Sequence, residues 1–414
     1  MSKSANNLPP GWSWVKLNDI GEVKAGGTPS TKVPEYFDGK IAWITPADLT
    51  DYTLKYISKG RRNISDAGLK NSSARIIPKG SILFSSRAPI GYVAIASNEL
   101  CTNQGFKNLI PSKNVDSEFV YYYLKSSKQL AEKNASGTTF NEISAKNFAK
   151  LPFPLPPLPE QKKIVEKIEE LFSGLDSGVA SLKKAKEQIK LYRQSVLASA
   201  FNGKLIGNGN IDKKTGLPKD WKDFTVKDIC EKIVGGGTPS TKVEKYWKGT
   251  IDWITSADIY GIKDVRPRKK ITEEAIKNSA TNKIPKGAIV VVTRVGLGKV
   301  AIAPNELCFS QDCQGLILNK KLVTENFALW FLSKATEEFK YKNRGTTING
   351  VTKKQLNDLR FLLPPINQQT QIVEEIERRF SEADNLEKAI DESLVKSEAL
   401  RQSILKQAFE GRLI

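Results

Sequence analysis

The sequence Gly26-Gly27-Thr28-Pro29-Ser30-Thr31-Lys32 occurs a second time as Gly236-Gly237-Thr238-Pro239-Ser240-Thr241-Lys242, 210 positions further along the chain. Other segments recur in the same order, at spacings between 207 and 210 residues. They are Trp43-Ile44-Thr45 with Trp253-Ile254-Thr255, Ile77-Pro78-Lys79-Gly80 with Ile284-Pro285-Lys286-Gly287, Asn98-Glu99-Leu100-Cys101 with Asn305-Glu306-Leu307-Cys308, Gly137-Thr138-Thr139 with Gly345-Thr346-Thr347, and Arg193-Gln194-Ser195 with Arg401-Gln402-Ser403. Because the repeated segments follow the same order at nearly constant spacing, the sequence indicates that one unit of about half the chain is duplicated.

Each half begins with short strand patterns and turn residues and then changes to helical patterns. The predicted strands are Ser81–Phe84 and Tyr92–Ala96, with the counterparts Ala288–Val292 and Val300–Ile302, and helical patterns lie near Glu118–Asn134 and Glu325–Asn343. This mixture predicts the α+β class, with two similar tandem domains. A proline-rich linker then leads, in each half, into about 40 residues without another proline.

These proline-free segments carry apolar residues every seven positions, which is typical of a coiled coil. The predicted helix–helix seam is Ile168, Leu175, Leu182, Ile189 and Val196 in the first segment and Ile376, Ala383, Ile390 and Ile404 in the second. At about 1.5 Å per residue each helix is on the order of 60 Å long, and the natural partner is its own repeat. Near copies pair through an almost isologous contact with a pseudo-two-fold axis, so the helices should be antiparallel. A helix buried in a larger core is the alternative.

The pattern therefore divides the chain into four parts. Residues 1–157 and 207–365 are the predicted α+β domains, and residues 158–206 and 366–414 are the predicted long helices.

Composition excludes several classes of enzyme. The 414 residues include no His, so the chain has no Ser-His-Asp triad, no HExxH zinc site and no His proton shuttle. Walker A and GxGxxG motifs are also missing, as is the Asn/Asp-Pro-Pro-aromatic tetrapeptide of amine methyltransferases. The four cysteines form no CxxC pair and are expected to be buried free thiols. No signal sequence or membrane span is apparent, so we expect a cytoplasmic protein. Because the motifs above are missing, we also expect the chain to have no catalytic, metal or cofactor site of its own.

The net charge of +19 favours a polyanionic partner, although lysine-rich surfaces also serve solubility. The repeated loop offers hydroxyl and ammonium donors that suit phosphates and base edges, and a tight turn is the alternative role for it. Arg87 and Arg294 occupy matched loops after strands, where a guanidinium can bind guanine or phosphate, and a surface salt bridge is the alternative. The candidate DNA-binding residues are Thr28, Ser30, Thr31, Lys32, Arg87, Gln104, Thr238, Ser240, Thr241, Lys242, Arg294 and Gln311.

The ordered motifs together resemble those of a known family. Both halves carry Gly-Gly-Thr-Pro-Ser, Trp-Ile-Thr-x-Ala-Asp, a Leu-Pro-Pro segment followed by Gln, and a helix ending in Arg-Gln-Ser and Ala-Phe-x-Gly. Over essentially its whole length the chain is similar to the DNA-specificity (S) subunit of type I restriction–modification systems.

The resemblance implies that residues 1–157 and 207–365 are target-recognition domains, each of which reads one half of a split sequence in double-stranded DNA. It also implies that the helices fix the spacer. It also implies docking of two modification (M) subunits, which carry S-adenosylmethionine, and of restriction (R) subunits, which use ATP and Mg²⁺. A stand-alone DNA-binding regulator and an enzyme with an unfamiliar site are the rival hypotheses.

Overall fold

The structure is a computed structural model that describes residues 8–137, 141–207, 211–212, 214, 218–342 and 350–414. Contacts divide the chain into two units. Unit 1 extends to Leu182 and also contains Glu392–Ile414, whereas unit 2 is Lys183–Asp391. Of the repeated Gly-Thr-Thr segments only Gly137 is described, and the rest lie outside the described residues.

Unit 1 contains a larger and a smaller sheet. Its strands are β1 (Ser13–Lys16), β2 (Gly21–Ala25), β3 (Phe37–Ile44), β4 (Tyr56–Ile57), β5 (Arg62–Ile64), β6 (Ile82–Ser86), β7 (Ile90–Ala96), β8 (Cys101–Thr102), β9 (Phe106–Pro111) and β10 (Pro152–Leu155). Its helices are α1 (Asp66–Lys70), α2 (Ser117–Ser126), α3 (Lys128–Lys133), α4 (Ala145–Ala149) and the first part of α5 (Leu158–Phe201). The strand orders are β2-β9-β6-β7-β4 and β5-β3-β8, and β1 pairs with β10.

Unit 2 repeats this plan with small differences. Its strands are β11 (Lys222–Thr225), β12 (Cys230–Gly235), β13 (Ile251–Ile254), β14 (Ile259–Gly261), β15 (Asp264–Val265), β16 (Lys269–Ile271), β17 (Lys283–Ile284), β18 (Ile289–Val292), β19 (Val300–Ile302), β20 (Leu307–Phe309), β21 (Cys313–Leu318) and β22 (Arg360–Leu363). Its helices are α6 (Glu273–Lys277), α7 (Glu325–Lys342), α8 (Lys353–Asn357) and the first part of α9 (Ile366–Phe409). The sheets have the orders β12-β21-β18-β19 and β16-β13-β20-β17, with pairs β11-β22 and β14-β15.

The predicted α+β class, the four predicted strands and both long helices are confirmed. The helical pattern near Glu118–Asn134, in contrast, forms two helices that meet at Ser127. The hydroxyls of Ser126 and Ser127 both donate to the carbonyl of Tyr123, at 2.6 and 2.8 Å. Such local bonds compete with the helical hydrogen-bond ladder, and the amide of Ser127 bonds the carbonyl of Leu124 three residues back.

A buried glutamine fixes the start of each long helix. The side-chain oxygen of Gln161 accepts from the amide of Asp116 at 2.8 Å, and its Nε2 donates to the carbonyl of Pro156 at 2.9 Å. In unit 2, Gln369 accepts from the amide of Thr324 and donates to the carbonyl of Pro364 at the same distances. Both glutamines are fully buried, so the Leu-Pro-Pro…Gln motif is explained by an anchor between the long helix and the α+β part of each unit.

The two long helices meet inside each unit, and their contacts repeat. In unit 1, Arg401 pairs with Asp176 and lies 4.8 Å from the ring centroid of Phe172. In unit 2, the equivalent Arg193 pairs with Asp384 at 2.7 Å and lies 5.2 Å from the ring centroid of Phe380.

The direction of the helices follows from a second ion pair of unit 2. Lys186 contacts Asp391 at 2.7 Å, whereas Arg193, seven residues later on α5, contacts Asp384, seven residues earlier on α9. The helices are therefore antiparallel where they pair.

The burial of the predicted seam residues varies along each helix. Ile168, Val196, Ile376, Ala383 and Ile404 are buried, and Leu175, Leu182, Ile189 and Ile390 are half-buried. The helix ends thus lie within the cores of the units, as the alternative of a larger core expected, whereas the seam residues nearer the middle are mostly half-buried. Leu386 and Leu400, which lie two heptads apart on α9, are exposed because the partner helix covers only a narrow stripe of this helix.

We predict that Gln161→Ala lowers the free energy of unfolding by about 1–3 kcal/mol, because it leaves the amide of Asp116 and the carbonyl of Pro156 buried without these partners. Urea unfolding followed by tryptophan fluorescence measures the effect. The control is Gln188→Ala, an exposed glutamine on the same helix. Equal stability of the two variants would contradict the anchoring role.

Candidate nucleic-acid interface

The repeated glycine-rich loop has the same anchors in both units. In unit 1 it follows β2, and the carbonyl of Gly27 accepts a hydrogen bond from the indole of Trp43 at 3.0 Å. In unit 2 the carbonyl of Gly237 accepts from the indole of Trp253, also at 3.0 Å. These bonds explain why the Trp-Ile-Thr motif accompanies the loop in each half.

Close backbone packing requires glycine in this loop. A Cβ atom on Gly27 would lie 2.2 Å from the backbone nitrogen of Ala74, and one on Gly237 would lie 2.4 Å from the carbonyl carbon of Ala280. The amides of Gly27 and Gly237 both donate to strand-end carbonyls at 2.9 Å. The loop is therefore a fixed platform and its glycines serve packing against the domain.

The structure brings the predicted threonines and glutamines together in pairs. The hydroxyl of Thr28 donates to the side-chain oxygen of Gln104, and the hydroxyl of Thr238 donates to that of Gln311. Each glutamine lies in the turn that leads into β9 or β21, and both glutamines are exposed. The sequence suggested these residues individually but gave no indication that they are partners.

The last three residues of each loop are exposed to solvent. Ser30, Thr31 and Lys32 are exposed in unit 1, as are Ser240, Thr241 and Lys242 in unit 2. Within the described residues neither Lys32 nor Lys242 forms an ion pair, so their charges are available to an anionic partner.

Arg87 and Arg294 occupy matched positions with different surroundings. Arg87 follows β6 and its Nη1 lies 3.3 Å from Oε2 of Glu142. Arg294 lies between β18 and β19, is more exposed, and approaches Asp312 only to 3.8 Å. A salt bridge, the alternative role for these arginines, is thus formed by Arg87 and only weakly by Arg294.

The sequence analysis missed a charge cluster beside Arg87. Lys107 is only 6% exposed, and its ammonium bonds Oε1 of Glu142 at 2.9 Å and the hydroxyl of Ser86 at 3.2 Å. Burial would raise the pKa of Glu142, but the hydrogen bond from Lys107 and the charges of Lys107 and Arg87 lower it overall. A buried lysine in a strand requires an acidic partner, so Lys107 was the residue from which the sequence could have predicted this cluster. In unit 2, Gln314 holds the equivalent position.

A second missed feature is a basic hairpin in unit 2. Tyr260 is 59% exposed, and the guanidinium of Arg266 lies 4.9 Å from its ring centroid. Arg266 also bonds both oxygens of Asp264, and Arg268 pairs with the buried Asp258. Burial would raise the pKa of Asp258, but the bonds from Arg268 and Thr255 lower it. A single exposed tyrosine in a short strand gives no pattern by which the sequence could identify it.

Cys101, Cys308 and Cys313 are buried and unpaired as predicted, whereas Cys230 is half-buried at the outer end of β12. Over the part of the chain that the structure describes, no group of His, Cys, Asp and Glu is arranged to hold a metal ion. In that same part, no helix combines the length and apolar character needed to cross a membrane.

A family model described as the type I restriction modification DNA specificity domain matches residues 9–190 and again residues 218–396. The chain belongs to this family. The double match of the specificity domain corresponds to the duplication seen in the sequence and to the repeated architecture of the two units.

Named members of the specificity family are similar to parts or all of the chain. The MjaIX specificity subunit of Methanocaldococcus jannaschii is 40% identical over 57% of this chain and 55% of that protein. The chain thus aligns with about half the length of that relative. The EcoKI specificity subunit of Escherichia coli K12 is 24% identical over 99% of this chain and 91% of its own.

Two solved structures share the fold. A chain from a study of complex assembly and conformational transition in a type I R-M system superposes with a TM-score of 0.74 at 22% identity, covering 98% of this chain and 99% of that one. The HsdS subunit of Thermoanaerobacter tengcongensis gives a TM-score of 0.65 at 21% identity, with complete coverage of both chains.

Proposed function

We propose that this chain is the specificity subunit that selects the DNA target of a type I restriction–modification enzyme. In this proposal the recognition domains, residues 1–157 and 207–365, each read one half of a bipartite site. The helices, residues 158–206 and 366–414, fix the unread spacer and dock two modification subunits. The observation that carries the proposal is the repeated exposed surface of loop hydroxyls, lysine, glutamine and arginine, present once in each unit.

The chemistry of this surface fits DNA better than a small substrate. Its exposed groups are hydrogen-bond donors and cations, which match phosphate oxygens and the acceptor-rich edge of guanine. The net charge of +19 adds a sequence-independent attraction that depends on salt. Affinity then comes mainly from phosphate contacts, and discrimination comes from a few side chains such as Arg87 and Arg294.

The partners supply the catalysis in this proposal. Modification subunits bring S-adenosylmethionine, and restriction subunits bring ATP and Mg²⁺, while this chain binds none of these cofactors. Its place of action is the cytoplasm, where its DNA substrate lies.

We predict that the purified chain alone transfers no methyl group, and that co-expression with its modification subunit methylates adenine within an interrupted sequence. Mapping of N6-methyladenine across host DNA measures the target, with the modification subunit alone as the control. Methylation of a continuous sequence would contradict the bipartite arrangement. Tight, specific binding by the chain alone with no effect on methylation would instead favour a stand-alone regulator.

We predict that Arg87→Ala impairs recognition of one half-site and Arg294→Ala that of the other, each by roughly 1–3 kcal/mol. Binding is measured with duplexes that carry single substitutions in either half. Lys113→Ala and Lys321→Ala, which remove exposed charges beyond the far ends of β9 and β21, are the matched controls. An equal loss on all duplexes would identify a phosphate contact, and no loss would remove the residue from the interface.

We predict that a fragment of residues 1–206 forms a homodimer. Its Arg193 replaces Arg401, so in a dimer it meets Asp176 and Phe172 of the other copy, as Arg401 does in unit 1. With modification subunits this dimer should methylate a symmetric, interrupted target. Sedimentation tests the assembly, and Arg193→Glu should weaken it. A monomeric fragment would disprove the shared seam. Methylation of the original asymmetric site alone would disprove the idea that each recognition domain reads one half-site.

A further inference from the structure

The two threonine–glutamine pairs are held in equivalent positions by equivalent backbone bonds. The amides of Asn103 and Ser310, just before the glutamines, donate to the carbonyls of Ile44 and Ile254 at 2.8 and 2.9 Å. Each turn then closes back on its own start, from Phe106 to Asn103 at 3.2 Å and from Cys313 to Ser310 at 3.1 Å. Gln104 and Gln311 are therefore presented in the same way by turns of different sequence.

The hydrogen bond from threonine determines which end of each glutamine faces outward. Thr28 donates to Oε1 of Gln104, and Thr238 donates to Oε1 of Gln311. In the described part of the chain neither Nε2 has a hydrogen-bond partner, so each amide presents two free N–H donors. To read adenine, an amide must both accept and donate a hydrogen bond. A phosphate oxygen only accepts hydrogen bonds, so it is bound by donors alone.

The neighbouring loop adds donors of the same kind. Ser30, Thr31 and Lys32 are exposed beside the first pair, and Ser240, Thr241 and Lys242 are exposed beside the second. Because this set is identical in the two units, it cannot distinguish one half-site from another of different sequence. The groups next to it do differ: unit 1 has Lys107 paired with Glu142, whereas unit 2 has Gln314 at the position of Lys107 and Arg294 near Asp312.

We propose that each threonine–glutamine pair is a phosphate clamp, which holds the DNA backbone in register while the adjacent, differing residues read bases. The threonine is a positioning residue that keeps Nε2 directed at the phosphate. This inference rests on the proposed DNA-recognition function and divides that surface into a common backbone contact and a discriminating part.

The test measures binding of the full chain to two duplexes of equal length: one carries the target mapped by methylation, and the other a scrambled sequence. Gln104→Leu is expected to weaken binding to both duplexes by about the same factor, roughly tenfold, and to leave their ratio unchanged. Gln104→Glu should weaken both further, because a carboxylate repels phosphate. Thr28→Val should show a smaller loss with the same pattern, and Thr28→Ser, which keeps a hydroxyl, should lose less than Thr28→Val.

The exposed Gln188→Leu on α5 is the matched control for the glutamine variants, and equal melting temperatures exclude unfolding as the cause of any loss. A loss confined to the target duplex would overturn the clamp and make the pair a base reader. No loss on either duplex would leave it a purely structural contact. If the wild-type chain bound the target and scrambled duplexes equally well, the proposed function would be wrong. The glutamine variants would still test the phosphate clamp.

Discussion

The packing of the long helices is the constraint on which the other features depend. The first part of each helix completes the core of the α+β part that precedes it, together with the last part of the other helix. In unit 1 the ring of Phe409 lies 5.2 Å from that of Phe119, and in unit 2 the ring of Phe201 lies 5.4 Å from that of Phe327. Each of these cores therefore contains residues from both helices. Duplication therefore produced two units that each need both copies of the repeat.

The same constraint explains the motifs around the helices. Gln161 and Gln369 anchor the helix starts, and the indoles of Trp12 and Trp221 reach Glu160 and Gln368 beside them at 2.9 Å. At the other ends Arg193 and Arg401 combine an ion pair with an aromatic contact. The buried glutamines, the indoles and the arginines of these contacts are shared by the halves because they hold the helices, whereas the groups around Arg87 and Arg294 differ because they do not.

Much of the fold could be predicted from sequence because it depends on local periodicity and on the repeat. Apolar runs such as Ile289–Val292 identify buried strands, and heptads identify the helices. The site could be predicted only as separate candidates. Thr28 and Gln104 are 76 residues apart, and nothing in either segment shows that a turn brings them together. Glu142 was missed for the same reason, since its partners Arg87 and Lys107 lie 55 and 35 residues earlier in the chain.

The assembly of unit 1 from distant segments also sets an order of events during synthesis. Ile404, Ala408 and Phe409 belong to the same core as Phe119 and Ile168, yet they are translated more than 200 residues after them. At roughly 5–20 residues per second, a ribosome leaves that core open for some tens of seconds. During this interval the end of α5, Val196–Phe201, is already synthesised, and it carries apolar residues like those of Ile404–Phe409. The core of unit 1 is therefore completed only after nearly all of the second repeat has been synthesised.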